Sequence, residues 1–135
     1  MSTNSNIAIE IKPGIAKMIY CHWDGYPSHN GKILLNHWSD RQKLMTMIEE
    51  GDVSNIAENL GTQHDFRYCP VDECNFYRRD RKEYRPENKA SDISLEHFAD
   101  FALEYFYYLD LDGVWHYSDH GKPFKVLTQE ICDAD

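Results

Sequence analysis

The chain has 135 residues, of which 41% are hydrophobic and 13% aromatic, with 14 Lys and Arg against 23 Asp and Glu for a formal net charge of -9. That length suits one domain with a core of its own, and the aromatic content excludes a disordered chain, which lacks the apolar surface to offset its ordering entropy. The acidic mean field excludes a nucleic-acid or membrane binder that works by bulk charge; its carboxylates are interspersed with bases, the pattern of a mixed solvated surface.

Residues 1–5 are polar and read as a flexible tail ahead of the domain. The start, Met1 to Ala8, has neither the basic residues nor the apolar stretch of a signal peptide, and no apolar run approaches the roughly 20 residues that span a bilayer. The expectation is a cytoplasmic protein with no membrane partner. Ile7, Ile9 and Ile11 then alternate with Ala8 and Glu10, Pro13-Gly14 supplies a type II turn, and alternation resumes at Ile15, Lys17 and Ile19, which predicts a β-hairpin. Ser28 is placed to cap a short helix carrying Ile33, Leu34, His37 and Trp38. Ser39 with Gln42 forms a capping box for a second helix with Leu44, Met45 and Ile48, ended by Gly51. Asp52 is expected to cap a third, with Val53, Ile56, Ala57 and Leu60 on one face and Gly61 as its stop.

From Thr62 to Ser91 the pattern weakens to strand, loop and strand, with one strand around Asn75 to Tyr77. Ser94 is expected to cap a helix containing Leu95, Phe98, Ala99 and Ala102. Tyr105 to Leu111 and Val114 to Tyr117 flank Asp112-Gly113, a strong hairpin signal, and Phe124 to Ile131 returns as a strand or short helix. The whole reads as a single α+β domain: a mainly antiparallel sheet built from hairpins, with roughly three to four short helices packed on it.

Several polar constellations carry chemistry. Cys21 and His22 at a strand end, with Cys69 and Cys74 in a Pro-containing turn, are the ligand types of a zinc site if the hairpin and the middle loop meet. Against this, adjacent strand residues point to opposite faces and buried cysteine often serves as a small hydrophobe, so four unligated thiols are the competing reading. Cys21 with His22, Asp24, His64 and Asp65 also offers the types of a cysteine nucleophile, its base and an orienting carboxylate; His64 or His37 suits Cys21 better than the neighbouring His22. Arg78, Arg79, Arg81, Lys82 and Arg85 form a basic island with Tyr77 and Tyr84 beside it. It fits nucleotide or nucleic-acid phosphates with a stacked base, or an internal ion-pair network with Asp80 and Glu83, or an acidic protein partner. The aromatic run Tyr105 to Tyr108 with Trp115 and Tyr117 reads either as a partner surface or as core with Tyr hydroxyls on its outer face.

The block Tyr20-Cys21-His22-Trp23-Asp24-Gly25-Tyr26-Pro27, followed by Gly31-Lys32-Ile33-Leu34-Leu35-Asn36-His37-Trp38, resembles the signature of a family of small uncharacterised phage and prophage proteins. The likeness continues through His64-Asp65-Phe66, through Arg79-Asp80-Arg81 with Glu83, and into the aromatic hairpin. Where that family tends to carry a glycine in or just after Arg-Asp-Arg, this chain has Lys82, which argues against a tight turn there. The resemblance implies a viral gene product acting inside a bacterial host. It points to an accessory protein that binds a host macromolecule, a host protein first of all, to counter defence or redirect metabolism. The alternative is a small enzyme or nucleotide-binding domain. In either case the candidate functional cluster is Cys21, His22, Trp23, Asp24, Tyr26, His64, Asp65, Arg79, Asp80, Arg81 and Glu83.

Overall fold

In the computed structural model, which describes residues 2–134, the alternating isoleucines form strand β1 (Ser5–Lys12), paired antiparallel with β2 (Ile15–Cys21). Gly14 turns the corner at φ 78°, a value glycine adopts at no steric cost. Strand β1 takes β6 (Tyr105–Leu109) in parallel on its other side, and β6 continues antiparallel through β7 (Trp115–Asp119) to β8 (Lys125–Val126). The outer edge of β2 is shared. β5 (Ser91–Ser94) pairs with it from Ile15 to Met18, while β3 (Val53–Asn55) meets it at Cys21 and pairs in turn with β4 (Asn75–Phe76). The result is one mixed, largely antiparallel sheet of eight strands, and with the helices α1 (Lys32–His37), α2 (Arg41–Glu50), α3 (Tyr77–Arg81) and α4 (Gln129–Ala134) it is the expected α+β fold.

Side chains alternate across each strand, so β1 and β2 feed two layers. Ile7, Ile9 and Ile19 join Leu34 of α1, Leu44, Met47 and Ile48 of α2, and Cys132 of α4 in the main core. Each large apolar side chain removed from water there contributes about 1.5–3 kcal/mol. Trp38 is fully buried and its Nε1 donates to the Ala57 carbonyl at 2.8 Å. On the opposite face Ala8 and Ala16 leave room for Phe98 and Phe106, which meet edge to face at 5.7 Å in a smaller core. The aromatic hairpin is therefore covered on both sides: Tyr107 belongs to the main core and Phe106 to the smaller one, with Tyr108 half-buried between His116 and Phe124.

Several local expectations are corrected. Ser28 is not the N-cap of α1, whose cap position is Gly31; Pro27–Gly31 is one wide π-type turn that runs directly into α1. The α2 cap is Asp40, which accepts from Lys43 N at 3.0 Å, while Ser39 Oγ donates back to the Leu35 carbonyl. No helix follows Asp52. Its N–H donates to Asn88 O, its carbonyl accepts from Tyr77 N and its carboxylate accepts from Tyr20 N, partners that hold the segment extended as β3. Ser94 does cap, accepting from Glu96 N, but the turn it opens ends at His97, where Phe98 enters the smaller core. The strand expected around Asn75 to Tyr77 is β4, cut short at Phe76, and Arg78, Arg79 and Arg81 of the basic island follow it in the helix α3. Lys82 ends α3 at φ 59°, ψ 34°, so the tight left-handed turn forms without a glycine. Residues Thr3 and Asn4, read as part of a tail, are tied in: Thr3 O accepts from Gly25 N, and Asn4 accepts from Tyr105 N and Glu104 N. Among the described residues no helix is long and apolar enough to cross a membrane.

Candidate functional site

The Tyr20–Pro27 block leaves the sheet at the end of β2 and is stitched to three other segments. His22 N and Trp23 N donate to Val53 O and Ser54 O, Gly25 N donates to Thr3 O at 2.8 Å, and Gly25 O accepts from Tyr107 Oη at 2.6 Å. A Cβ on Gly25 would lie 2.8 Å from the Asn4 carbonyl oxygen, so the close approach itself requires glycine. Asp24 turns the chain at φ 58° and its Oδ1 accepts from Tyr26 Oη at 3.3 Å. Tyr20 Oη and His22 Nδ1 share a hydrogen bond of 2.8 Å, and Trp23 sits edge-on to His22, partly exposed.

Cys21 is fully buried, and loss of water pushes its thiol up to about 12. Asn30 Nδ2 donates to its sulfur at 3.3 Å, and the thiol in turn faces the Trp23 and Ser54 carbonyls at 3.6 and 3.9 Å. A group held so has no thiolate at neutral pH with which to attack a substrate. Burial likewise pushes Cys74 to about 12, and it bonds the backbone of Ala57; Cys69 lies in the surface turn against the Pro70 and Glu73 carbonyls. All four cysteines are free, and among the described residues no three His, Cys, Asp or Glu side chains are grouped to hold a metal ion. The candidate zinc ligands Cys21, His22, Cys69 and Cys74 are thus not brought to one point.

The second half of the candidate cluster does converge. Asp80 has a fully buried side chain and Arg79 is only 12% exposed, with Arg79 Nε donating to Asp80 Oδ1 at 2.9 Å. The rest of the guanidinium donates to the carbonyls of Leu60, Gly61 and Cys74 at 3.0–3.2 Å and lies over the Phe76 ring. Asp80 also accepts from His64 N at 3.2 Å and Phe76 N at 2.8 Å. The His64 ring is bracketed by Thr62 O and Asn75 Oδ1, both at 2.9 Å. A buried ion pair persists only when its remaining donors and acceptors are also met, and here they are. Arg79, Asp80 and His64 pin the loop around Gly61 to Phe66 onto α3.

That scaffold floors an open cleft of about 920 Å³ between Gln63–Arg67 and Asp80–Lys82. Phe66 stands in it, with the Arg81 guanidinium 5.2 Å away and the Tyr77 ring stacked at 5.5 Å. Arg67 and Arg81 are 76% and 54% exposed, held by Asp65 and Glu83 respectively. The Arg67 hydrogen bonds keep the Asp65 carboxyl below its ordinary range. No ion pair to Lys82 occurs among the described residues. Along the same loop Tyr68 and Val71 are 74% and 99% exposed, and Arg67 lies over the Tyr68 ring. Surface ion pairs such as these are worth about 0–1 kcal/mol, so an external carboxylate or phosphate can replace Asp65 or Glu83 at little cost.

Of the candidate residues, His64, Asp65, Asp80 and Arg81 line the cleft, Arg79 supports it from a neighbouring hollow, and Glu83 holds Arg81. Cys21, His22, Trp23, Asp24 and Tyr26 do not line it. Arg67 escaped the sequence reading because one exposed arginine in a loop carries no local signal. No known protein family, no curated protein and no solved structure matches the chain.

Proposed function

We propose that this protein is a phage-encoded accessory factor that binds a host macromolecule in the bacterial cytoplasm through the Phe66–Lys82 cleft. The observation that carries the reading is a local excess of accessible cation on an acidic protein: Arg67, Arg81 and Lys82 ring Phe66, with Tyr68 and Val71 exposed beside them. Arginine and aromatic side chains are the groups that most often supply binding hot spots, and their weak surface pairs release them for a partner's anions. An acidic patch on a host protein, with an apolar group to cover Phe66 and Tyr68, matches this chemistry.

A nucleotide is the second reading, favoured by the same cations around a stackable ring and by a cleft large enough to hold one. Catalysis by Cys21 finds no support in a buried thiol at about 12. The test compares tagged wild-type protein with an Arg67→Glu/Arg81→Glu/Lys82→Glu variant in lysates of infected and uninfected bacteria. A host protein retained by the wild type and lost with the variant supports the reading. Retention that ignores the charge reversal, or no retained component, refutes it; retention abolished by nuclease, or displacement by added nucleotide, selects the second reading.

A further inference from the structure

A second cavity, of about 440 Å³, opens on the sheet face that carries Ala8, Ala16 and Phe106, away from the cleft described above. Its walls are Met18, Phe101 and Leu103, with Phe101 42% exposed at the lip. Its polar lining includes Asn6, Tyr20, Asp52 and Ser91. Asn6 is only 4% exposed, in the middle of the sheet, where a polar side chain normally finds full hydrogen bonding. Its amide nitrogen faces no better acceptor than the Met18 sulfur at 3.7 Å, and among the described residues nothing donates to its Oδ1. Asp52 spends Oδ1 on Tyr20 N at 2.9 Å, and among the described residues nothing donates to its Oδ2. Glu87 and Lys89 also line the cavity and offset each other in charge.

The cavity thus holds two open acceptors, one neutral and one anionic, with the Asn6 amide N–H turned to the Met18 sulfur, beside an aromatic ring and two apolar side chains. We propose that the cavity is a binding site for a small organic cation, whose ammonium or guanidinium group donates to Asp52 and Asn6 while its hydrocarbon lies against Met18, Leu103 and Phe101. A donor-rich cation satisfies both acceptors, returns a partner to the carboxylate, and gains the cation–π attraction of Phe101. An anion of the same size would meet Asp52 and Asn6 Oδ1 with like polarity. The site is independent of the anion-binding cleft, so either can fail without the other.

The probe is phenethylammonium, titrated into the full chain and followed by backbone amide NMR. 3-Phenylpropionate serves as the control of similar shape and opposite charge. Saturable shifts centred on Asn6, Tyr20, Asp52 and Phe101, absent with the propionate, are expected. Asp52→Asn should weaken binding roughly tenfold or more through loss of the charge-assisted bond, and Phe101→Ala, at an exposed position, should weaken it severalfold with the fold intact. No saturable shift up to millimolar amine overturns the proposal. So do equal binding of the propionate, shifts spread over the surface carboxylates, or Asp52→Asn affinity equal to wild type.

Discussion

Replacing Asp52 by Asn is expected to stabilise the protein at neutral pH. The amide oxygen of Asn can keep the hydrogen bond from Tyr20 N, so the geometry at β2 is preserved. What changes is the charge: burial raises the Asp52 carboxyl from 3.8 to about 6, with the Tyr20 N–H only partly opposing it. The native carboxyl holds its proton more tightly than the unfolded one, so between about pH 4 and pH 6 the native state binds more protons and stability falls as pH rises. The group thus favours folding most below its unfolded value and has lost that advantage above about 6. A rise from 3.8 to about 6 corresponds to about 3 kcal/mol, and solvent screening of this half-buried side chain reduces it to about 1–2 kcal/mol. Urea unfolding of both proteins across this range gives a difference curve in which carboxyls with the opposite behaviour, such as Asp65 held down by Arg67, cancel. The curve should lie near zero at the acid end and rise to about 1–2 kcal/mol in favour of Asn above about pH 6.5. A flat curve, or a variant less stable than wild type at neutral pH, would refute the assignment of an unpaired, desolvated carboxylate at Asp52.

Four further substitutions probe the scaffold. Gly25→Ala places a Cβ 2.8 Å from the Asn4 carbonyl and strains the contact that receives Tyr107 Oη, so thermal unfolding should show a loss of about 1–3 kcal/mol. Lys82→Gly relieves a left-handed residue at the end of α3 but loosens the unfolded chain, for a net gain of about 0.5–1 kcal/mol in urea unfolding. Asp80→Ala strands the buried Arg79 guanidinium and the N–H groups of His64 and Phe76, and should cost about 3–5 kcal/mol, whereas exposed Arg81→Ala on the same helix stays within about 0.5 kcal/mol. Equal effects of Asp80→Ala and Arg81→Ala on stability would show that the buried network is not structural.

Both hairpins were legible because their signals are local: period-two alternation broken by Pro13-Gly14 in the first, and the Asp112-Gly113 turn between two aromatic runs in the second. Helices α1 and α2 were legible for the same reason, through the spacing of Leu34, Trp38, Leu44 and Ile48. The parallel pairing of β1 with β6 was not, since nothing in either strand names a partner so far along the chain. Asp52 shows the same limit at one residue. Its preference for helix caps is local, while the partners that decide its role, Tyr20, Tyr77 and Asn88, arrive from three separate segments. In the candidate site, Arg79 and Arg81 are indistinguishable as sequence, yet the first is buried beneath carbonyls and the second faces solvent. Residue type announces what a side chain can do, and burial decides which side chains are left to do it.

The Tyr20–Pro27 block illustrates how residue types suited to catalysis can be used up by folding. Its cysteine is a core thiol, its glycine accepts the Tyr107 hydroxyl, its aspartate turns the chain and receives Tyr26, and its histidine is paired with Tyr20. Groups with capacity to spare lie elsewhere, and each surplus has a sign. Around Phe66 it is donors: Arg67 and Arg81 in weak pairs that an external anion can replace, and Lys82 with no ion pair among the described residues. Around Phe101 it is acceptors, Asp52 Oδ2 and Asn6 Oδ1, beside the smaller apolar core. Folding alone has no use for either surplus, and at Asp52 it acts against stability at neutral pH. The sign of the Asp52→Asn stability change therefore tests whether that carboxylate is desolvated, and the amine titration tests separately whether its open position is used by a ligand.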